Sequence, residues 1–268
     1  MTDAADTFRR LHEGPGILLL ANCWDAGSAR LIESLGARAI ATTSAGVAWA
    51  HGYPDGDALP VGELTGAVRA IARVIRVPLT VDIEGGYSAD PAAVGEAVAA
   101  VIGAGAVGIN LEDGSSPPEL LAAKIGQARR AAERAGVALY VNARTDVYLR
   151  GLVPESGSVA ETLARARIYR DAGADGLFVP KLAEPAAVRE IASSAGMPLN
   201  VLAWPGLAPA AELAALGVRR LSAGSAIAES AWSRASALAA AFLEAGRSDP
   251  LSEDAMPYPA INALFAAR

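Results

Sequence analysis

The chain has 268 residues, 52% of them hydrophobic, and a formal net charge of −6. That length suits one α/β barrel, and the acidic balance, with no Lys/Arg cluster, argues against a nucleic-acid partner. MTDAADTFRR carries no apolar leader, the longest apolar stretch (97–109) holds glycines and is too short to span a bilayer, and the lone Cys23 leaves no internal disulfide, so a cytoplasmic protein without a membrane partner is expected.

Strand-like apolar runs fall at 17–22, 39–43, 79–84, 107–112, 139–144, 177–180, 199–203 and 219–222, about eight in all. Ala-rich helical stretches lie between most of them. ARLIESLGARAIATT, AVAAVIGAGAVGINLE, RARIYRDAGADGLFVP and AELAALGVRRLSAG repeat one pattern of helix, glycine turn and buried run. Gly36, Gly105, Gly173 and Gly217 fit the left-handed residue that ends a helix. The alternation predicts a closed (β/α)8 TIM barrel, with a doubly wound open sheet as the rival. No low-complexity linker divides residues 1–268, which read as one domain. Its helical tail, about 226–268, packs on the barrel or on a partner subunit, and the apolar segments SALAAAFLEAG and AINALF favour self-association.

Three carboxylates mark the ends of two neighbouring runs: Asp82 and Glu84 in LTVDIEGGY, and Glu112 in VGINLEDG. Residues i and i+2 of a strand share a face, which would put Asp82 and Glu84 side by side, with Glu112 on the next strand. Like charges so close repel unless a cation stands between them, and an all-oxygen set suits a hard divalent ion. Other strand ends supply Trp24 and Asp25, the small trio Ser44, Ala45 and Gly46, Asp55 in the loop HGYPDGD, Tyr87, Asp113, Arg144, Asp146, Lys181 and Trp204. Backbone amides at Ser44, Ala45 and Gly46 can approach an anion closely, and Arg144 offers a planar fork for a carboxylate. The set describes a site for a small carboxylated chelator such as a 2-oxo acid.

NCWDAGSARLIESLGARAIATTSAGVA, VDIEGGY, GINLED and VNARTD together resemble the isocitrate lyase/phosphoenolpyruvate mutase superfamily, over about residues 16–225. The resemblance implies a (β/α)8 barrel whose last helix is often exchanged between subunits of a homodimer or homotetramer. It implies Mg²⁺, with Mn²⁺ as the alternative, and cleavage or formation of a bond beside a 2-oxo acid. By position, Asp82, Glu84 and Glu112 resemble the metal shell, partly through water, and Asp55 its outer acid. Ser44, Ala45 and Gly46 resemble the carboxylate loop, Arg144 the substrate arginine and Trp24 an aromatic wall. The loop after the fourth strand, GSSPPELL, lacks the Cys, Lys or Asn of the lyase and mutase branches. A decarboxylase, small-acid lyase or hydrolase is therefore expected rather than isocitrate lyase or the mutase.

In the expected mechanism the metal polarises the 2-oxo carbonyl, bond cleavage leaves an enolate, and Arg144 and the Ser44 loop hold charge. Tyr87 or a bound water moves the proton. The alternatives are a phosphonate enzyme of the mutase or phosphonopyruvate hydrolase type, a 2-oxo acid binder without turnover, and a Schiff-base aldolase using Lys181. Plainer readings apply elsewhere. Asp25 reads as a helix cap, Asp113 as structural, Asp146 as a partner of Arg144, Cys23 as buried, and His12 and Lys124 as surface.

Overall fold

The computed structural model describes residues 2–14 and 16–266. A first helix, α1 (Thr2–Arg10), precedes a split strand, β1 (Leu18–Leu20) and β2 (Asn22–Cys23). Then come α2 (Ala26–Ser34), β3 (Ile40–Thr42), α3 (Ser44–Ala50), α4 (Val61–Val74), β4 (Leu79–Asp82), α5 (Pro91–Gly103), β5 (Gly108–Glu112) and α6 (Pro118–Ala135). The second half runs β6 (Tyr140–Arg144), α7 (Val147–Arg150), α8 (Ser158–Asp171), β7 (Gly176–Val179), α9 (Pro185–Ser194), β8 (Leu199–Leu202), α10 (Ala210–Ala215) and β9 (Val218–Ser222). The tail holds α11 (Ala226–Ala245), α12 (Asp249–Ser252) and α13 (Tyr258–Phe265).

Every strand pairing is parallel, in the order β1-β9-β8-β7-β6-β5-β4-β3-β2. β1 and β2 adjoin in the chain, so the sheet returns on itself as a (β/α)8 barrel and the open-sheet rival falls. The strand expected at 17–22 is interrupted at Ala21, and the others lie where expected with ends moved by a residue or two. The four repeat glycines have φ between 93° and 116°, which a side chain would resist. Helix starts are equally legible: Asp25 caps α2 in a reciprocal box with Ser28, and Asp90 caps α5 ahead of Pro91.

The barrel lumen is unusually polar. Thr80, Asn110, Asn142, Asn200, Arg220 and Ser222 are all buried, and hydrogen bonds join Asn110 to Asn142 and to Arg220. α1 closes the lower end. Phe8 lies so near Gly108 that a Cβ there would stand 2.6 Å from its ring, and Arg9 pairs with Asp175 at 2.7 Å. His12, expected at the surface, is instead 3% exposed, its ring stacked on Tyr140 at 4.1 Å between centroids. It follows α1 directly and turns inward with Phe8, four residues earlier, whose carbonyl takes its Nδ1–H at 2.9 Å. Burial, and then the charge of Arg220, push its pKa down to about 3, so it stays neutral.

The tail leaves the barrel. Among its described residues α11 buries only Ala228, while Trp232, Phe242 and Leu243 are exposed. A bare apolar groove of about 510 Å³ lies beside β1 and α2, lined by Leu19, Leu31, Leu35 and Ile227 among others. α13 returns to α2, where Arg30 donates to the Leu264 carbonyl at 2.8 Å. Among the described residues no helix is long and apolar enough to cross a membrane.

Candidate active site

Asp82 is the last residue of β4 and is fixed from three sides. Its amide donates to Thr42 Oγ1 at 2.9 Å, its Oδ1 accepts the Glu84 amide at 3.0 Å, and its Oδ2 accepts Asn110 Nδ2 at 3.0 Å. Each carboxylate oxygen keeps a lone pair free.

Glu84 departs from the expected geometry. The strand ends at Asp82, and Glu84 adopts φ 52°, so the same-face rule for i and i+2 no longer applies. Its Oε2 instead accepts the amides of Gly56, at 2.8 Å, and of Asp57. Asp57 answers by accepting the Tyr87 amide at 3.0 Å. The loop carrying Asp55 is thus latched to the turn after β4. Lys124 holds that turn from behind, donating to the Gly85 carbonyl at 2.6 Å. Expected at the helix surface, Lys124 is 7% exposed, because it shares the buried face of α6 with Leu121, Ile125 and Ala128.

Glu112 ends β5 and pairs with Arg144 Nη1 at 2.6 Å. Burial lifts its carboxyl well above the usual range against the pull of Arg144, and Asp82, Asp146 and Glu84 lift it further. Arg144 reaches the other way to Asp146, Nε to Oδ1 at 2.7 Å and Nη2 to Oδ2 at 3.2 Å. Burial opposes its charge, yet Glu112 and Asp146 outweigh that cost and keep it protonated. Asp146 is the expected partner of Arg144. Asp113 is structural, as expected: it accepts the Asp146 amide, Thr145 Oγ1, Arg165 Nη1 and the Tyr169 hydroxyl, all within 2.9 Å.

Asp82 and Arg144 reach the wall of a cavity of about 120 Å³. Following the strand order, Asn22, Thr43, Ser44 and Ala45 form one arc, Asp55, Asp82, Asn110 and Arg144 the next, then the carbon wall of Leu149, Phe178, Pro180 and Leu202. Ser222, Gly224 and Ser225 close the ring. No side chain caps α3, so the amides at Ser44 and Ala45 are open donors at the cavity edge. Gly46 is needed for packing, since a Cβ there would stand 2.8 Å from both Trp24 Cβ and Thr43 Cγ2. Trp24, Gly46, Glu84, Tyr87 and Glu112 lie outside the lining. Tyr87 hydrogen-bonds Glu84, and burial, with Glu84 and Asp82 nearby, drives its pKa far up. Lys181 is exposed beside Trp204, its Nζ 5.2 Å from the ring centroid, which leaves no buried lysine for a Schiff base there.

Among the described residues no three His, Cys, Asp or Glu side chains converge on a ready-made cation site. The donor set nonetheless fits one kind of ion. Asp55, Glu84 and Glu112 all carry raised pKa values, burial being the first cause in each and neighbouring acids adding to it. Such crowding favours a cation, and every donor is oxygen. With Glu84 Oε2 and Glu112 Oε2 engaged by amides and by Arg144, only Asp82 and Asp55 face the cavity. Mg²⁺ tolerates that poverty, because it commonly keeps several waters and takes one or two carboxylates.

Several lining residues escape sequence reading. Asn110 shares the inward register of the strand-end residue Glu112, and Ser222 that of Arg220 two residues earlier, a signal the sequence does carry. The carbon wall is visible only once β6, β7 and β8 are set side by side.

The sequence matches the phosphoenolpyruvate phosphomutase family over residues 8–243. It is 37% identical over 261 residues to an uncharacterised protein of Mycobacterium tuberculosis, covering 96% of this chain and 95% of that protein. It is 30% identical over 231 residues to an oxaloacetate decarboxylase of Pseudomonas fluorescens, covering 81% and 77%. A crystal structure of a phosphonomutase-like protein from Burkholderia cenocepacia superposes with a TM-score of 0.84 at 42% identity, covering 88% of this chain and 99% of that one.

Proposed function

This chain belongs to the isocitrate lyase/phosphoenolpyruvate mutase superfamily, and from that membership we propose that it is a carbon–carbon lyase that decarboxylates a small oxaloacetate-like 2-oxo acid with the help of Mg²⁺ or Mn²⁺. The observation that carries the reading is the division of a 120 Å³ cavity into an acid arc, an amide arc and a carbon wall.

Asp82 would hold the ion directly, with Asp55, Glu84 and Glu112 reaching it through water. When bound, the ion would act as a Lewis acid toward the negative oxygen that forms on the 2-oxo carbon. The chain's own groups do the rest. The open amides of Ser44 and Ala45 take the 2-carboxylate, while the Ser44 hydroxyl hydrogen-bonds Asp55. Arg144 adds a fixed positive charge, oriented by Asp146. With the carboxylate on the β3 side and the carbonyl toward β4 and β5, the far end of the acid meets Leu149, Phe178, Pro180 and Leu202. Among the described residues the only cation in the lining is Arg144, already engaged by Glu112 and Asp146. A carboxylate against that wall is poorly solvated and leaves readily as neutral carbon dioxide. For the returning proton we propose a bound water at the acid arc, with Tyr87, which lies outside the lining and hydrogen-bonds Glu84, acting only through such a water.

We also propose a homodimer or homotetramer in which α11 covers the bare groove beside β1 and α2 of a neighbouring copy. The exposure of Trp232, Phe242 and Leu243 supports it. A cytoplasmic location suits the single buried cysteine.

A panel of 2-oxo acids, assayed with and without EDTA, tests the reading. Oxaloacetate should give pyruvate and carbon dioxide, and EDTA should remove at least about 95% of the turnover, as expected when a Lewis acid carries most of the charge stabilisation. Turnover that survives exhaustive chelation contradicts it. Phosphate release from phosphonopyruvate would move the function to phosphonate chemistry.

A further inference from the structure

Among the described residues Arg220 is the largest wholly buried side chain, at 1% exposure, and none of its hydrogen bonds there goes to a carboxylate. Its Nη2 donates to Asn110 Oδ1 at 3.2 Å and its Nε to Ser222 Oγ at 3.4 Å, while Nη1 finds no partner. Burial pulls its pKa down to about 10, with Tyr140 and Asp82 pulling the other way, so it remains charged at neutral pH. An unpaired buried charge is costly, and an apolar side chain of similar volume would fill the lumen at less cost. The charge therefore calls for a use beyond packing.

Its bonds lead to the cavity. Asn110 Oδ1 accepts both Arg220 and Asn142 Nδ2, the latter at 2.9 Å. With its oxygen so engaged, Asn110 must turn its amide nitrogen to Asp82 Oδ2. Ser222 Oγ hands its own hydrogen to Asn200 Oδ1 at 3.1 Å. Asn110, Asp82 and Ser222 all line the cavity, and Arg220 lies one layer beneath them. Above stand four acids, answered at cavity level by Arg144 alone.

We infer that Arg220, held beneath the cavity by Asn110 and Ser222, offsets the acids from below, so that the site takes a divalent cation well only together with an anionic ligand. The inference rests on the proposed cation site. A cation alone meets Arg220 as a like charge, whereas a cation carrying a carboxylate ligand brings compensation for it. Arg220 would thus oppose empty-handed metal binding and favour the ternary complex.

The test is direct binding to the full-length protein, with Mn²⁺ read by electron paramagnetic resonance and oxalate as the anionic probe. Arg220→Met should fold, bind Mn²⁺ alone about threefold or more tightly, and bind oxalate in the presence of Mn²⁺ about tenfold or more weakly, as expected from removing one buried positive charge. Arg220→Lys keeps the charge without the fork and should return Mn²⁺ affinity toward wild type. A residue that merely packs would move neither constant, or both the same way, and either result overturns the inference. If Arg220→Met does not fold, the Lys and Gln variants carry the same comparison: charge kept against charge lost. The opposed shifts without turnover of any panel acid would sink the decarboxylase reading and leave this one standing. Failure of the wild type to bind Mn²⁺ would remove both.

Discussion

Asp82→Ala should abolish turnover while leaving the fold intact. A loss of at least about 10³-fold in kcat/KM is expected where one carboxylate both holds the ion and lines the pocket. Asp82 lines the cavity with a carboxylate oriented by Asn110 and the Glu84 amide, and Thr42 holds its backbone. Its neighbours Asp55, Glu84 and Glu112 all feel its charge as repulsion. Removing it relieves that repulsion, so the thermal midpoint of the metal-free variant should stay level or rise, as is common when a strained functional group is deleted. Midpoint and kcat/KM measured on the same preparation settle it. An intact variant within tenfold of wild type would show that Asp82 does not hold the reacting centre.

Arg144→Met should damage stability and activity together. Arg144 is wedged between Glu112 and Asp146, and Asp146 has no exposed side-chain surface. Deleting one member of a buried charge group leaves its partners unpaired and typically costs about 3–5 kcal/mol. Asp146 keeps Arg150 at 2.9 Å and the loss is shared, which puts the expectation at the lower end. Activity should fall about 10²-fold or more with the loss of a preoriented donor at the developing charge. Arg144→Lys separates the two effects, since a point charge without the planar fork recovers part of the stability but little of the rate. Urea unfolding beside kcat/KM for the two variants checks this. A stable, active Arg144→Met would reduce the arginine to decoration.

The architecture was written plainly in the chain. Helix, glycine and buried run recur because each βα unit must stop a helix and re-enter the sheet, and that demand selects glycine at a left-handed residue. Asp25 and Asp146 were legible for local reasons, the first as a cap three residues before Ser28 and the second as a neighbour of Arg144 two residues on. Reading the strand through to Glu84 misplaces that side chain, because β4 ends at Asp82 and Glu84 is left-handed; the Gly85-Gly86 pair that follows is the local mark of that turn. His12 and Lys124 read as surface because each is polar in a short window. His12 is drawn inward by Tyr140, distant in sequence, whereas Lys124 carried a helical signal three residues after Leu121. Arg220 lies inside an ordinary-looking run, and its role depends on Asn110 across the barrel, a pairing that no sequence spacing encodes.

One diffraction experiment bears most directly on the account. Crystals of the wild-type protein grown with Mn²⁺ and oxalate, measured at the manganese absorption edge, should show an anomalous peak bonded to an Asp82 carboxylate oxygen at about 2.1–2.2 Å. The oxalate should chelate the same ion, with its remaining oxygens toward Ser44 and Ala45. A fully formed cavity with no peak beside Asp82, or with the ion held elsewhere on the chain, would contradict it.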